Sequence, residues 1–172
     1  MINIAPEVKR LLKKPIIWTL IIIASAGVWL LGFYWASQTP FTYTLRVWIG
    51  GEGVFNDELS NEIEQICLEG GMKKCALNAY SPNDFYYPAA FALQSNNVDI
   101  YVLEINEAET TAQAGIFRAS DKFTGETFEY EGETIGVKFI GDYYIFINGS
   151  SKKDEALLFA VVNAISAYGE KV

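Results

Sequence analysis

The groups available for chemistry in this 172-residue chain are carboxylates, tyrosines, amides and two cysteines, because it contains no histidine. That excludes histidine general acid/base catalysis, Ser-His-Asp and Cys-His nucleophiles, and histidine-ligated metals. Two cysteines do not make a structural zinc site, and the sequence has no Asp-x-Asp-x-Asp loop for calcium. Glu52 and Glu104 could form the carboxylate pair of a glycosidase. Nothing in their spacing requires it, and acidic residues are plentiful, so no enzyme, cofactor or metal is expected. Cys67 and Cys75 can pair outside the reducing cytosol. The loop they close is short, for a stabilisation of roughly 2–3 kcal/mol; the alternative is two packed thiols. Asn148-Gly149-Ser150 matches a glycosylation sequon, which matters only in a eukaryotic secretory route.

What positions these groups begins with a hydrophobic segment. Residues 15–45 carry no charge, and 16–36 are 21 mostly apolar residues. About 20 residues of helix cross a bilayer core, so 15–36 reads as a transmembrane helix in contact with lipid. Trp18 near one end and Trp29, Phe33, Tyr34 and Trp35 toward the other fit interfacial belts. Lys9, Arg10, Lys13 and Lys14 precede the span and no basic residue follows it before Arg46. The positive-inside rule therefore puts residues 1–14 in the cytoplasm and the rest outside the cell membrane. The rival is a cleavable signal peptide, with Ala24-Ser25-Ala26 as its cleavage site. The apolar run continues to Ala36, where a signal peptide would have turned polar, and this favours an uncleaved anchor. Residues 37–42 then form a very short tether to an extracytoplasmic domain, 43–172.

The whole chain has 13 basic and 21 acidic residues. The anchor region holds four of the basic residues and one acidic one, leaving the outer domain at net −11. Nucleic acid needs a basic footprint and is not an expected partner. An acidic surface keeps a domain soluble and away from anionic headgroups.

Along the outer domain, Tyr43, Leu45, Val47 and Ile49 alternate with Thr44, Arg46 and Trp48, predicting a strand over 43–49. A helix is predicted over 57–69, with Leu59, Ile63, Ile66 and Cys67 on one face, Asn56 or Asp57 as its cap, and Gly70-Gly71 at its end. A strand over 74–80, a short helix over 88–94, a nearly all-apolar strand over 98–105 and a helix over 107–114 follow. Then the pattern changes. Residues 126–131, 133–140 and 142–148 read as a meander with turns at Glu131-Gly132 and Gly141-Asp142. Ser151 is the expected cap of a last helix, with Asp154 and Glu155 in its first turn. The expected fold is a three-layer α/β lobe. Its mixed sheet has three parallel strands plus an antiparallel return, with a β-meander at one side.

Three stretches resemble the extracellular solute-binding proteins of ABC importers, in the large family that carries sugars. The first is the opening strand, Leu45-Arg46-Val47-Trp48, with the following Gly-Gly-Glu-Gly loop. The second is 89–120, with Asp99 and Tyr101 opening a strand and Gly115-Ile116 ending a helix. The third is 132–165, where Gly136-Val137 marks a hairpin and Ser151, Lys152, Glu155 and Ala156 open a helix. Together they cover most of 43–168. The resemblance implies a periplasmic-binding-protein-like lobe, with ABC permease or other membrane-complex subunits as partners and a small solute such as a sugar as ligand. Members of that family are usually more than twice this long, with a second lobe where this chain has only 121–131. A single lobe offers half a cleft, so solute binding is expected to be weak or shared with a second chain.

In open α/β sheets ligands sit beyond the carboxyl ends of the strands. By that rule Glu52, Asn83, Glu104 and Asn106 would meet the hydroxyls of a sugar, with an aromatic face from Tyr80, Tyr86 or Tyr87. The alternative role is an interaction or scaffold subunit that kept the lobe but no longer binds solute, with Phe55, Phe85, Tyr86 and Tyr87 forming an exposed docking patch.

Overall fold

The computed structural model describes residues 15–37, 41–51, 55–81, 83–84, 87–94 and 97–171. They fall into two units, Met1–Thr39 and Pro40–Val172. The first unit contributes one helix, α1 (Pro15–Ser37), 23 residues long and without an acidic or basic residue at either end. Such a helix is about 35 Å long. Its apolar residues show no preferred side, and the large side chains described in it, from Trp18 at 52% to Trp29 at 77%, are more than half exposed. Taken over the described side chains alone, no stretch is long and apolar enough to cross a membrane.

The second unit is α/β. A short 3-10 turn (Phe41–Tyr43) leads into β1 (Thr44–Ile49). Then come α2 (Asp57–Glu69), β2 (Lys74–Ala79), α3 (Tyr87–Gln94), β3 (Ile100–Glu104) and α4 (Ile105–Gln113). The strands β4 (Thr127–Tyr130), β5 (Glu133–Lys138) and β6 (Tyr143–Ile147) precede α5 (Glu155–Gly169). Six strands make one sheet in the order β2-β1-β3-β6-β5-β4. The pairs β1–β2 and β1–β3 are parallel, while β3–β6, β6–β5 and β5–β4 are antiparallel. The expected sheet, three parallel strands with an antiparallel return and a meander, is therefore the one found. The stretch 121–131 carries β4, an edge strand of this same sheet.

Alternation along the strands builds two apolar layers. Leu45, Val47, Ile49, Ile100, Val102, Ile145 and Ile147 cluster with Leu59, Ile63 and Cys67 of α2 and Leu158, Val161 and Ile165 of α5. Trp48, Tyr101, Leu103 and Phe146 cluster on the other side with Tyr87, Ala108 and Ala112 of α3 and α4. Both faces of the sheet are covered, which is why β3 reads as a continuous apolar run.

Local signals account for most element ends. Asn56 caps α2, its side-chain oxygen accepting from Leu59 N at 2.9 Å, and Gly71 leaves the helix with φ +81°. Glu131 (φ 52°) and Gly132 (φ 82°) are both left-handed, as the two-residue turn between β4 and β5 demands. Gly136 allows the Phe146 ring to lie over β5: a Cβ there would stand 2.6 Å from two ring carbons. One cap differs from expectation. Asp154, and not Ser151, caps α5, accepting from Ala156 N at 2.7 Å. The Ser151 hydroxyl is turned to Asp99, donating to its Oδ1 at 2.6 Å. The sequon also yields to packing. Asn148 is 2% exposed, and its amide nitrogen donates to Val98 O at 2.7 Å and Tyr101 Oη at 3.3 Å, so it offers no group for glycosylation.

Candidate functional site

The chain runs from β1 to β2 on one side and then crosses to β3 on the other, so the order of strands reverses at β1. In open α/β sheets the crevice at such a point receives ligands. Four of the residues expected to line it stand at the carboxyl ends of these strands. Tyr80 follows β2, its N–H donating to Ile49 O at 2.9 Å. Asn83 is exposed in the next turn. Glu104 ends β3 opposite Tyr143, and Asn106 is exposed in the first turn of α4. Since β1 lies between β2 and β3, Tyr80 and Glu104 stand two strand spacings apart, about 10 Å. Glu52 and Tyr86 lie outside the described residues, so the proposed pairing of Glu52 with Glu104 is not defined.

Beneath this rim lies a network whose members are far apart in sequence. Trp48 is fully buried and its indole N–H donates to Tyr87 Oη at 3.2 Å. Tyr87 Oη in turn donates to Glu107 Oε1 at 2.5 Å. Tyr80 stacks on Trp48, ring centroids 4.1 Å apart, and Phe91 meets the same indole edge-on at 5.4 Å. Gly50, the first residue after β1, is pressed against this network, with its N–H donating to Val102 O at 2.8 Å. A Cβ at Gly50 would lie 2.8 Å from Tyr87 Oη and 2.9 Å from Glu107 Oε2. Only glycine permits that approach.

Electrostatics follow from the packing. Burial holds the Glu107 carboxyl above its ordinary range, opposed by the Tyr87 hydrogen bond and reinforced by the charge of Glu104. Burial also raises the Tyr87 hydroxyl, as does its bond to Glu107. Tyr143 is raised by burial and by both Glu104 and Glu107, which places all three around one corner. Sequence reasoning named Glu104 here but missed Glu107, Trp48 and Tyr143. The one available signal was Trp48, the large polar-tipped aromatic on the opposite face of β1 from Val47.

Two expectations about aromatic surface are corrected. Tyr87 is only 7% exposed, and Phe55 packs half-buried against Phe139, ring centroids 5.7 Å apart. Both are core residues, because each ring finds an apolar neighbour on an adjacent element. Phe85, the remaining member of the expected patch, is outside the described residues along with Tyr86. Among the described residues of the second unit only Tyr43 and Leu68 are large exposed apolar side chains.

Cys67 on α2 and Cys75 on β2 are adjacent as free thiols. The Cys75 S–H donates to Cys67, which holds the Cys67 thiol below its ordinary value and raises Cys75. Among the described residues no group of acidic or cysteine side chains is arranged to hold a metal ion.

The sequence matches no known family model and is not significantly similar to any characterised protein with which it was compared.

Proposed function

We propose that this chain is a membrane-anchored, extracytoplasmic, single-lobe module of the solute-binding type. In this reading it serves as a non-catalytic accessory of an ABC-type transporter and shares its solute with a second chain. The observation that carries the reading is the reversal of strand order at β1, beyond whose carboxyl end ligands sit in open α/β sheets. Gly50 brings the backbone close there, and Asn83, Glu104 and Asn106 offer hydrogen-bonding groups at the rim. A 23-residue helix that is apolar all round supports the anchor, since lipid is the solvent that such a surface suits.

A second reading, a scaffold subunit that no longer binds solute, is favoured by one observation. Trp48, Tyr80 and Tyr87 are satisfied by one another and by Glu107, so no described aromatic face is open to stack on a sugar.

The test uses the full-length protein, extracted from its own membranes in mild detergent. Permease subunits travelling with it, with heat of sugar binding seen in the complex and reduced by Asn106→Ala, are the expected result. A permease complex that never binds sugar moves the assignment to the scaffold. A protein recovered alone, without sugar binding, overturns both. For the anchor, the full chain should stay in the membrane pellet after alkaline carbonate washing, and protease added outside intact cells should remove the second unit.

A further inference from the structure

The opposite end of the sheet carries a cleft that the reading above does not use. It has a volume of about 380 Å³ and lies at the amino ends of β1 and β3. Arg46, Lys152 and Lys153 line it, together with the hydroxyl residues Thr42, Thr44, Ser150 and Ser151. Asp99 is the one carboxylate among the described residues of the lining. It accepts from Ser151 Oγ at 2.6 Å and from the Arg46 N–H at 3.0 Å. Three cations against one carboxylate leave the cleft at about +2, on a domain whose total is −11.

The contrast extends beyond the lining. Lys73 N donates to Tyr43 O at 2.8 Å, Lys74 pairs with Thr44 across the β1–β2 ladder, and Arg118 Nη2 donates to Ser151 O at 3.0 Å. Six of the nine basic residues of the outer domain thus gather at this end of the sheet. Two of the others, Lys122 and Lys138, are paired with Glu155 and Glu126. The amino end of α5 is not the attraction, since Asp154 already caps it. Burial lowers Lys153, with Arg46 pushing the same way against Asp99.

We propose that this cleft binds a single phosphate group, presented either as inorganic phosphate or a soluble phosphomonoester, or as the headgroup of an anionic phospholipid. Guanidinium and ammonium groups lining one cavity suit a tetrahedral oxyanion with several acceptor oxygens. The size of the ligand follows from screening. Beyond a Debye length of about 8 Å the cleft's own charge fades, so a polyanion would meet the acidic remainder of the domain and a small group would not.

The test has two arms on the full-length protein in non-ionic detergent. Thermal unfolding is followed against inorganic phosphate, with chloride at equal ionic strength as the reference. Retained lipid is counted by native mass spectrometry after equilibration with phosphatidylglycerol or phosphatidylcholine. Both arms are repeated with Lys152→Gln/Lys153→Gln, and with Lys152→Gln alone, an exposed position, in case the double variant unfolds. The expected result is a saturable response to phosphate, or preferential retention of phosphatidylglycerol, that weakens about tenfold in the variants. A variant effect in the phosphate arm alone identifies a soluble ligand, and one in the lipid arm alone identifies the headgroup. The same response in native protein and variants in both arms overturns the proposal. The phosphate arm does not depend on the anchor or on transport, so its failure is distinct from theirs.

Discussion

The Tyr87 hydroxyl stands 2.5 Å from Glu107 Oε1 and donates to it, while accepting the indole N–H of Trp48 at 3.2 Å. One phenol thereby satisfies a buried donor and a half-buried acceptor that lie on β1 and α4, 59 residues apart. Tyr87→Phe removes both bonds and leaves the Trp48 N–H without its partner in a dry site. The expected cost is about 1–3 kcal/mol of folding stability, read from urea unfolding at neutral pH. An unchanged midpoint would mean that water replaces the hydroxyl.

Glu107 should make stability depend on pH in an unusual direction for a carboxylate. Its folded value lies above the ordinary 4.5 because of burial. The folded state therefore holds that proton more tightly than the unfolded one. Its contribution is complete below pH 4.5 and is lost as pH rises through the folded value. Buried Asp99, raised above its ordinary 3.8 by burial, acts in the same sense at its own end of the sheet. Glu107→Gln, which keeps an oxygen to accept from Tyr87, should flatten the slope of stability between mildly acidic and neutral pH. It should unfold no earlier than the native protein at pH 7. A steeper slope in the variant would contradict this account.

Gly136 is a position where one added methyl group should matter. An added Cβ would meet Phe146 Cδ1 and Cε1 at 2.6 Å and Ile145 O at 2.8 Å. The Phe146 ring is held in turn by Phe117, stacked at 4.2 Å, and by Phe128. With no room to yield, Gly136→Ala should cost about 1–3 kcal/mol. The comparison is Gly132→Ala, where a Cβ meets nothing within 4 Å and only the positive φ of 82° is strained.

Cys67 and Cys75 should close into a disulfide on mild oxidation with diamide. The product should be lighter by two hydrogen atoms and more stable by roughly 2–3 kcal/mol, as for a loop of this length. Cys67→Ser cannot close the bridge, so the informative measurement is alkylation: the half-buried Cys75 should react in the native state, and Cys67 only once denaturant exposes it, because it is fully buried.

The layout of the sheet was legible because its cues are local. The alternation of Leu45, Val47 and Ile49, the Glu131-Gly132 turn and the Asn56 cap each depend on residues within a few positions. The contacts that fill the site were not. Ser151 looked like a helix cap by every local rule, yet Asp99, 52 positions earlier, takes its hydroxyl. Tyr87 looked like an exposed loop aromatic because its partners, Trp48 and Glu107, are supplied by two other elements. Glu104 and Asn106 were found because they end a strand, and position relative to the strand end is itself a local property. Glu107, one turn into α4, gave no sign of burial because it lies in a helix whose neighbours are mostly polar.

The placement of β1 has a mechanical consequence. It is the first strand of the second unit, and the short turn Phe41–Tyr43 leads directly into it. Both its edges are occupied, by β2 over six residue pairs and by β3 over three. A pull along β1 from its amino end would load those lateral bonds together, in shear, and not one after another as in a peeled edge strand. A strand held on both sides in this way resists a pull from its amino end more stiffly than an edge strand would.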